Sequence, residues 1–470
     1  MTPQPILKNN SQTTIIQKTP QEYSSYKARQ SNLLHAQLPR RDHLISERLL
    51  LTQNLTQSAS HPNCRVSIVI PVRNESENLP SLIHALAHQQ NSKGYPLAHS
   101  LYEILLLANN CNDNTVEVAC KLRNNYPSLQ FHIIEAHLPH QQAHVGKARQ
   151  MAMDEAYRRL LSLGLKDRII ASTDGDTIVA KDWISSLILE FDKGVDAVGG
   201  RITTCRETEQ SVSKEMSLYY LRSLAHAFLA VQLECLIDPQ SHDCWPRHSQ
   251  YFGANMALTA RAYGQIGGLP LVKDGEDVAL YKALRRIDAK IRHSPKVRVI
   301  TSARQVGRAT GGLAEHFKEL SLITKTCQFA QVEHPDVTEA RILLTKQLRQ
   351  LWIALQVDQS FNIIRYEKAG QLLANYTGLS TRQLQQAIES ASTFGQLLQA
   401  VTHLQQPLNI QLSHISVEVR SASLQLRARI KNLQRQTEVR QDLSYQIANP
   451  KAILTALQQV QAIPLFSFAN

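Results

Sequence analysis

The chain has 470 residues, a formal net charge of +12 and 43% hydrophobic residues, enough apolar material for a real core and enough length for two or three domains, which excludes a chain too polar to fold. A basic balance suits a polyanionic partner, whether nucleic acid, an anionic membrane surface or a phosphorylated substrate, with a merely solvated basic surface as the competing reading. Seven scattered cysteines without a CxxC pair argue against a disulfide framework and for reduced thiols in the cytoplasm.

Residues 1–63 are rich in Gln, Ser, Thr and Asn and read as a polar extension with a helical patch at 43–53. The opening MTPQPILKNNSQTT lacks the basic stretch and apolar core of a signal peptide. From residue 65 the texture changes. RVSIVIPV (65–72) predicts a buried parallel strand. SENLPSLIHALAHQ (76–89) predicts a helix with Leu79, Leu82, Ile83 and Leu86 on one face. Further strands are expected at 102–108, 129–136, 168–173 and 196–203, and further helices at 114–127, 143–161 and 181–193. This alternation predicts a doubly wound, mostly parallel α/β sheet, in a domain over 64–313. Ligands of such sheets bind at the carboxyl ends of the strands, where PVRNE, ANNCND and TDGDT fall.

The most apolar long stretch is LYYLRSLAHAFLAVQLECLI (218–237). Arg222, His226, Gln232 and Glu234 interrupt it, so it reads as a buried or amphipathic helix and not as a span, which needs ~20 mostly apolar residues. Beyond residue 314 the β signal fades. Leu344, Leu348, Leu351 and Leu355, and then Val419, Leu426, Ile430 and Leu433, recur at helical spacing, which predicts an α-helical C-terminal domain over 314–470, packed as a bundle.

Several clusters carry chemistry. Asp174 and Asp176 flank Gly175 at the end of an apolar strand; glycine there allows a tight turn with both carboxylates on one side. Two hard oxygen donors suit Mg2+ or Mn2+, which fill the rest of their shell with water and phosphate. An ordinary helix-capping turn is the competing reading. Glu276 and Asp277 open a helix, either as dipole complements or with Asp277 as a general base. Gly253, in FGANMALTARAYGQIGGLP, lets the backbone approach a ligand. Arg304 and Arg308 sit in a glycine-bearing loop suited to phosphate. Lys147 and Arg149, near a helix start, could face phosphates. His140 and His144 have metal-pair spacing without a third ligand, and His242, Asp243 and His248 invite the same reading. Trp245 and Arg247 make the same loop, with His248, an acceptor-binding candidate, because Trp stacks on sugars and Arg holds anions.

The order of VSIVIPVRNESENLPSLIHAL, YEILLLANNCNDNT, HVGKARQMAM, ASTDGDT, FGANMALTARAYGQIGGLP, DGEDVALYKALRR and RQVGRATGG resembles that of family-2 glycosyltransferases over residues 64–312. The resemblance implies a GT-A fold, an α/β sandwich that binds nucleotide-diphosphosugars. It implies that Pro71, Arg73 and Glu75 border the nucleotide pocket, that Asn109 lies at the base and that Lys147 lies near ribose or phosphate. Asp174 and Asp176 match the family's DxD, which holds the nucleotide and, through Mg2+ or Mn2+, the diphosphate. Asp277 matches the catalytic base of its Glu-Asp motif beside Glu276, and Gln305 and Arg308 match the polar ends of QxxRW, with Arg304 in the same loop. Gly253 and Asn255 fall with the acceptor side.

Two departures stand out. Where the family's second strand commonly ends in two acids, this chain has Ala108 and Asn109; the Asn carbonyl can still accept from a base. Ala309 replaces the Trp of QxxRW, a motif typical of processive, membrane-embedded synthases, so transfer of a single sugar is expected. The resemblance thus implies an inverting, hexosyltransferase-like enzyme with a UDP- or GDP-sugar donor and an unassigned acceptor. It implies no nucleic-acid partner, and a cytoplasmic protein with room for peripheral contact at the inner membrane face and for a homodimer through the C-terminal helices. A sugar-phosphate nucleotidyltransferase is the alternative, disfavoured because the first turn, PVRNESEN, has no glycine. A non-catalytic nucleotide-binding scaffold is the other.

Overall fold

The computed structural model describes residues 55–56, 58–164, 168–204, 214–302, 330–357, 377–405 and 416–440. The helical patch expected at 43–53 and the residues Arg304, Gln305 and Arg308 lie outside these.

In chain order the described elements begin with β1 (Val66–Val72), α1 (Leu79–Ala87), β2 (Tyr102–Asn109), α2 (Thr115–Asn125) and β3 (Gln130–Ala136). Next come α3 (Val145–Ser162), β4 (Ile169–Ser172), β5 (Thr177–Val179), α4 (Trp183–Phe191), β6 (Ala197–Thr204) and α5 (Lys214–Ile237). β7 (Met256–Thr259), α6 (Ala260–Gln265), α7 (Glu276–Arg286) and β8 (Ile291–Thr301) complete the sheet-bearing part. β9 (Gln331–Glu333), α8 (Pro335–Val357), α9 (Thr381–Ser390), α10 (Phe394–Leu404), β10 (Ser416–Glu418) and α11 (Val419–Arg440) follow.

Eight strands form one sheet in the order β3-β2-β1-β4-β7-β6-β8-β5. β1 pairs in parallel with β2 and β4, β2 with β3, and β6 with β8. β7 is antiparallel to both β4 and β6. Both faces of the sheet are covered, so its central strands are mostly apolar, and the buried Ser67 of β1 and Glu103 of β2 bond each other. Ile68, Ile70 and Val72 of β1 face one core with α1, α2 and α4, while Val69 faces a second core with α3, α6 and α7. This is the mostly parallel, doubly wound sheet of the GT-A resemblance.

Three strands of this sheet carry no signal strong enough to read from sequence. β5 and β7 are three and four residues long, too short for a period to show. β8 holds Pro295 and several basic residues; its register against β6 jumps between Gly200 and Arg201, and a bulge is where a strand tolerates proline.

The stretch 218–237 is helical, within α5; contrary to the reading from its interruptions it is, by length and composition, long and apolar enough to cross a membrane, and 17% of its apolar window is buried. Leu229, Leu233 and Ile237 pack against Ile342, Leu426 and Ile430, so one side is anchored and the rest faces outward. The C-terminal leucines form two cores and not one bundle. Leu348 and Leu351 of α8 join α9 and α10 in one, and α11 joins α5 in the other. The short antiparallel pair β9–β10 also breaks the expected all-helical pattern there.

The C-terminal helices grip the end of α7. Thr393 Oγ1 donates to the Arg286 carbonyl at 2.5 Å, and the backbone N–H groups of Phe394 and Gly395 donate to the Asp288 carboxylate at 2.8 and 2.7 Å. A carboxylate at the start of α10 complements that helix's dipole and its unpaired N–H groups. The Arg349 guanidinium lies 4.4 Å over the Phe394 ring.

Candidate active site

Asp174 follows β4 at the carboxyl edge of the parallel strands, half-buried. Its Oδ1 accepts from Arg149 Nη2 at 2.5 Å. Gly175 has no left-handed backbone angle; a Cβ there would stand 2.7 Å from Val72 Cγ1 and 3.1 Å from Glu75 Cγ. The glycine is needed for space against the end of β1, not for the tight turn expected from sequence. Asp176 is also half-buried.

Arg149 reaches this point from α3 and is only 4% exposed. Its guanidinium bonds Glu276 and Asp174, and its Nε donates to Ser172 Oγ at 3.1 Å. Burial works against the Arg149 charge, but Asp174, Glu276 and Asp277 outweigh it and hold its pKa above the ordinary value. Burial pushes the Glu276 carboxyl up against the pull of Arg149, and the neighbouring Asp277 adds to the rise. Arg149 therefore faces inward onto carboxylates and not outward onto phosphates, as its place near a helix start suggested.

Asp277 sits in the first turn of α7. Its Oδ2 accepts from the Gly253 N–H at 3.1 Å and its Oδ1 from the Val278 N–H at 2.7 Å. A Cβ on Gly253 would stand 2.6 Å from the Arg149 guanidinium, so a side chain there would displace the centre of the cluster. Asp174, Glu276, Asp277 and Gly253, from three segments distant in sequence, thus converge on one buried cation.

Among the described residues no group of three or more His, Cys, Asp or Glu is placed to hold a metal by itself. Asp174 and Asp176 offer hard oxygen donors at a partly open strand end, and three carboxylates crowd a single guanidinium. That donor set and charge excess fit a divalent cation that completes its shell with water and phosphate oxygens. His144 is no metal ligand here: its Nδ1 caps α3 by accepting from the Lys147 N–H at 3.3 Å.

Around the nucleotide side, Pro71 is buried at the end of β1 and Arg73 is exposed, donating to the Ala143 carbonyl at 3.3 Å. Glu75 is buried, and its Oε2 accepts from Asn78 Nδ2 at 2.7 Å. Lys147 Nζ donates to Gln150 Oε1 at 3.1 Å. Ala108 points into the hydrophobic core, so the period of β2 turns Asn109 to the other face. The buried Asn109 Oδ1 has no hydrogen-bond partner, an acceptor in want of a donor.

The loop expected to bind an acceptor is mostly internal scaffolding. Arg247 bonds Glu234 at 2.6 Å and Asp243 at 3.2 Å. His248 Nε2 donates to the Ser294 carbonyl at 3.1 Å. Asn255 is buried, accepts from Trp183 Nε1 at 2.9 Å and donates to the Arg201 and Val297 carbonyls at 3.1 Å each. These three brace the sheet's antiparallel half, because buried polar groups must find partners. Asp243 likewise pairs with His293 at 2.8 Å and not with His242 or His248. Trp245 is exposed and edge-on to Phe228 of α5. Of the five acceptor-side residues, only Gly253 touches the acid cluster. Tyr251 and Tyr281, stacked at 3.9 Å, lie nearer; burial first, then Asp277, raises the Tyr251 pKa. Their only sequence signal is that Tyr281 falls one turn after Asp277.

The model of Glycosyl transferase family 2 matches residues 67–250. The glycosyltransferase AglE of Haloferax volcanii is 28% identical over 138 residues, covering 29% of this chain and 39% of that protein, so the chain spans well under half the length of that relative. Among solved structures, residues 1–349 of TarS from S. aureus in complex with UDP align with a TM-score of 0.37 at 13% identity, over 73% of this chain and 92% of that one. The mannosyltransferase PcManGT from Pyrobaculum calidifontis, in complex with GDP-Man and Mn2+, aligns with a TM-score of 0.35 at 15% identity, over 77% and 93%. Residues 67–250 are thus similar to a family-2 glycosyltransferase domain.

Proposed function

We propose that this protein is an inverting, metal-dependent glycosyltransferase that moves a single sugar from a UDP- or GDP-sugar to an acceptor hydroxyl. The observation that carries this reading is the convergence of Asp174, Glu276 and Asp277 on Arg149, beside Asp176, at the carboxyl edge of the parallel strands. Asp174 and Asp176 would hold Mg2+ or Mn2+, which neutralises the charge growing on a departing diphosphate.

The chain's own residues supply the rest. Asp277, held by the Gly253 and Val278 N–H groups, takes the proton of the acceptor hydroxyl as its oxygen bonds to the anomeric carbon. The bond to the diphosphate oxygen breaks on the opposite face, so one displacement inverts the centre. Arg149 fixes Asp174 relative to Glu276, the neighbour of the base. Asn109 Oδ1 accepts an N–H of the donor base, and Pro71, Arg73, Glu75 and Lys147 border the nucleotide. Ala309 in place of the Trp of QxxRW supports transfer of one sugar over processive synthesis. The test is Asp277→Asn: it retains binding of the donor and loses transfer. Undiminished turnover in that variant removes Asp277 as the base.

A further inference from the structure

Helix α5 holds apolar side chains on a face left open to solvent. Leu221 is 55% exposed and Phe228 45%, and Leu218 lies on the same side. At 3.6 residues per turn Leu218, Leu221, Ala225 and Phe228 form one stripe, and Trp245 extends it, with its ring centroid 4.9 Å from that of Phe228. The adjoining side of α5 is buried against Leu426 and Ile430 of α11. The helix is therefore held lengthwise on the protein.

Helix α11, packed along α5, presents the complementary feature. Arg420, Leu424, Arg427, Lys431 and Arg435 recur at steps of four, three, four and four on the side away from Leu426 and Ile430, and all are exposed, Leu424 by 65%. No acidic residue occurs between Val419 and Arg435. None of these four cations is in an ion pair among the described residues, whereas Arg429 turns the other way, to Asp336 and Glu339. A two-fold dimer through this face would set like-charged rows against one another. A surface that is apolar at the depth of the chains and negative at the headgroups satisfies both features at once.

We propose that the α5–α11 face docks on an anionic lipid bilayer. Leu218, Leu221 and Phe228 enter the headgroup–acyl boundary, and Arg420, Arg427, Lys431 and Arg435 lie against lipid phosphates. The protein lies on the membrane without crossing it. Nothing in this depends on the chemistry assigned to the acid cluster.

The test is co-sedimentation of the full chain with vesicles of phosphatidylcholine alone or mixed with phosphatidylglycerol, near physiological ionic strength. Binding is expected to the mixed vesicles only, and to fall as salt rises. Arg427→Gln with Lys431→Gln should weaken partitioning about 25-fold, since each cation near such a surface is worth about five-fold. Leu221→Gln with Phe228→Gln should lower it by at least ten-fold with the melting temperature preserved, because both positions face solvent. Equal binding to both vesicle types, no binding to either, or indifference to both variant pairs overturns the proposal. So does a lipid-free dimer, seen by sedimentation velocity, that the Leu221/Phe228 variant converts to monomer: the face would then belong to a second copy.

Discussion

Replacing Arg149 by Met removes the cation that, among the described residues, pairs with Asp174 and Glu276, while keeping most of the side-chain volume. Glu276 is left almost wholly buried, with Asp277 adjacent and Asp174 nearby. Breaking a buried ion pair by removing one partner costs about 3–5 kcal/mol, which for a domain of this size lowers the melting temperature by on the order of 10 °C. The loss should depend on pH in a definite direction. The Glu276 carboxyl already sits above its ordinary pKa because of burial, and without Arg149 it rises further. A carboxyl whose folded pKa is raised is destabilising where it must be charged, and the penalty fades as pH falls and it takes up a proton. Arg149→Met should therefore be most damaging near pH 8 and recover towards pH 5. Asp174, half-exposed, contributes less because water screens it. The assay is urea unfolding of the wild type, Arg149→Met, Glu276→Gln and the double variant at both pH values. The double variant should be more stable than Arg149→Met alone at pH 8. A loss below about 1 kcal/mol at pH 8, or one independent of pH, would refute the view that Arg149 is the electrostatic keystone of the cluster.

Asp176→Ala should abolish the rise in melting temperature that Mn2+ adds to a UDP- or GDP-sugar, with little effect on stability without ligand; a retained Mn2+ increment would remove Asp176 from the metal. Burial holds the His248 imidazole down, to about 4 from the ordinary 6.5. The unfolded chain thus takes up this proton first, so the stability concerned is complete above pH 6.5 and is lost as pH falls towards 4, by about 3 kcal/mol. His248→Gln should flatten the melting temperature against pH between 7 and 4.5, and parallel profiles would show that another group governs acid sensitivity.

The parallel half of the sheet was legible because strands buried on both faces are apolar almost without interruption, as VSIVIPV and YEILLLA are apart from Ser67 and Glu103, which bond each other. The antiparallel half was not, since β7 has four residues and β8 absorbs a proline at a bulge. Asp174, Asp176, Glu276 and Asp277 drew notice as acids at a strand end and a helix start, and the structure brings Asp174, Glu276 and Asp277 around one guanidinium. Arg149 could not be placed, because a basic residue in the first turns of a helix reads the same whether it faces solvent or a carboxylate. What turns it inward is the missing side chain at Gly253 and the hydroxyl of Ser172, both remote in sequence. In the loop with Trp245, Arg247 and His248, residues that suit sugars also suit the bracing of an irregular interior, and Arg247 and His248 bond internally.

Helix α7 begins with Glu276 and Asp277 and ends, about 16 Å away, where Asp288 and the Arg286 carbonyl are strapped to the start of α10. It is a short rod with the acid cluster at one tip and the C-terminal helices at the other. A tilt of those helices is delivered directly to the acids, with no intervening hinge among the described residues. Helix α10 is thus part of the frame of the acid cluster, and shortening the chain before it would free the far end of the rod and loosen the placement of Glu276 and Asp277.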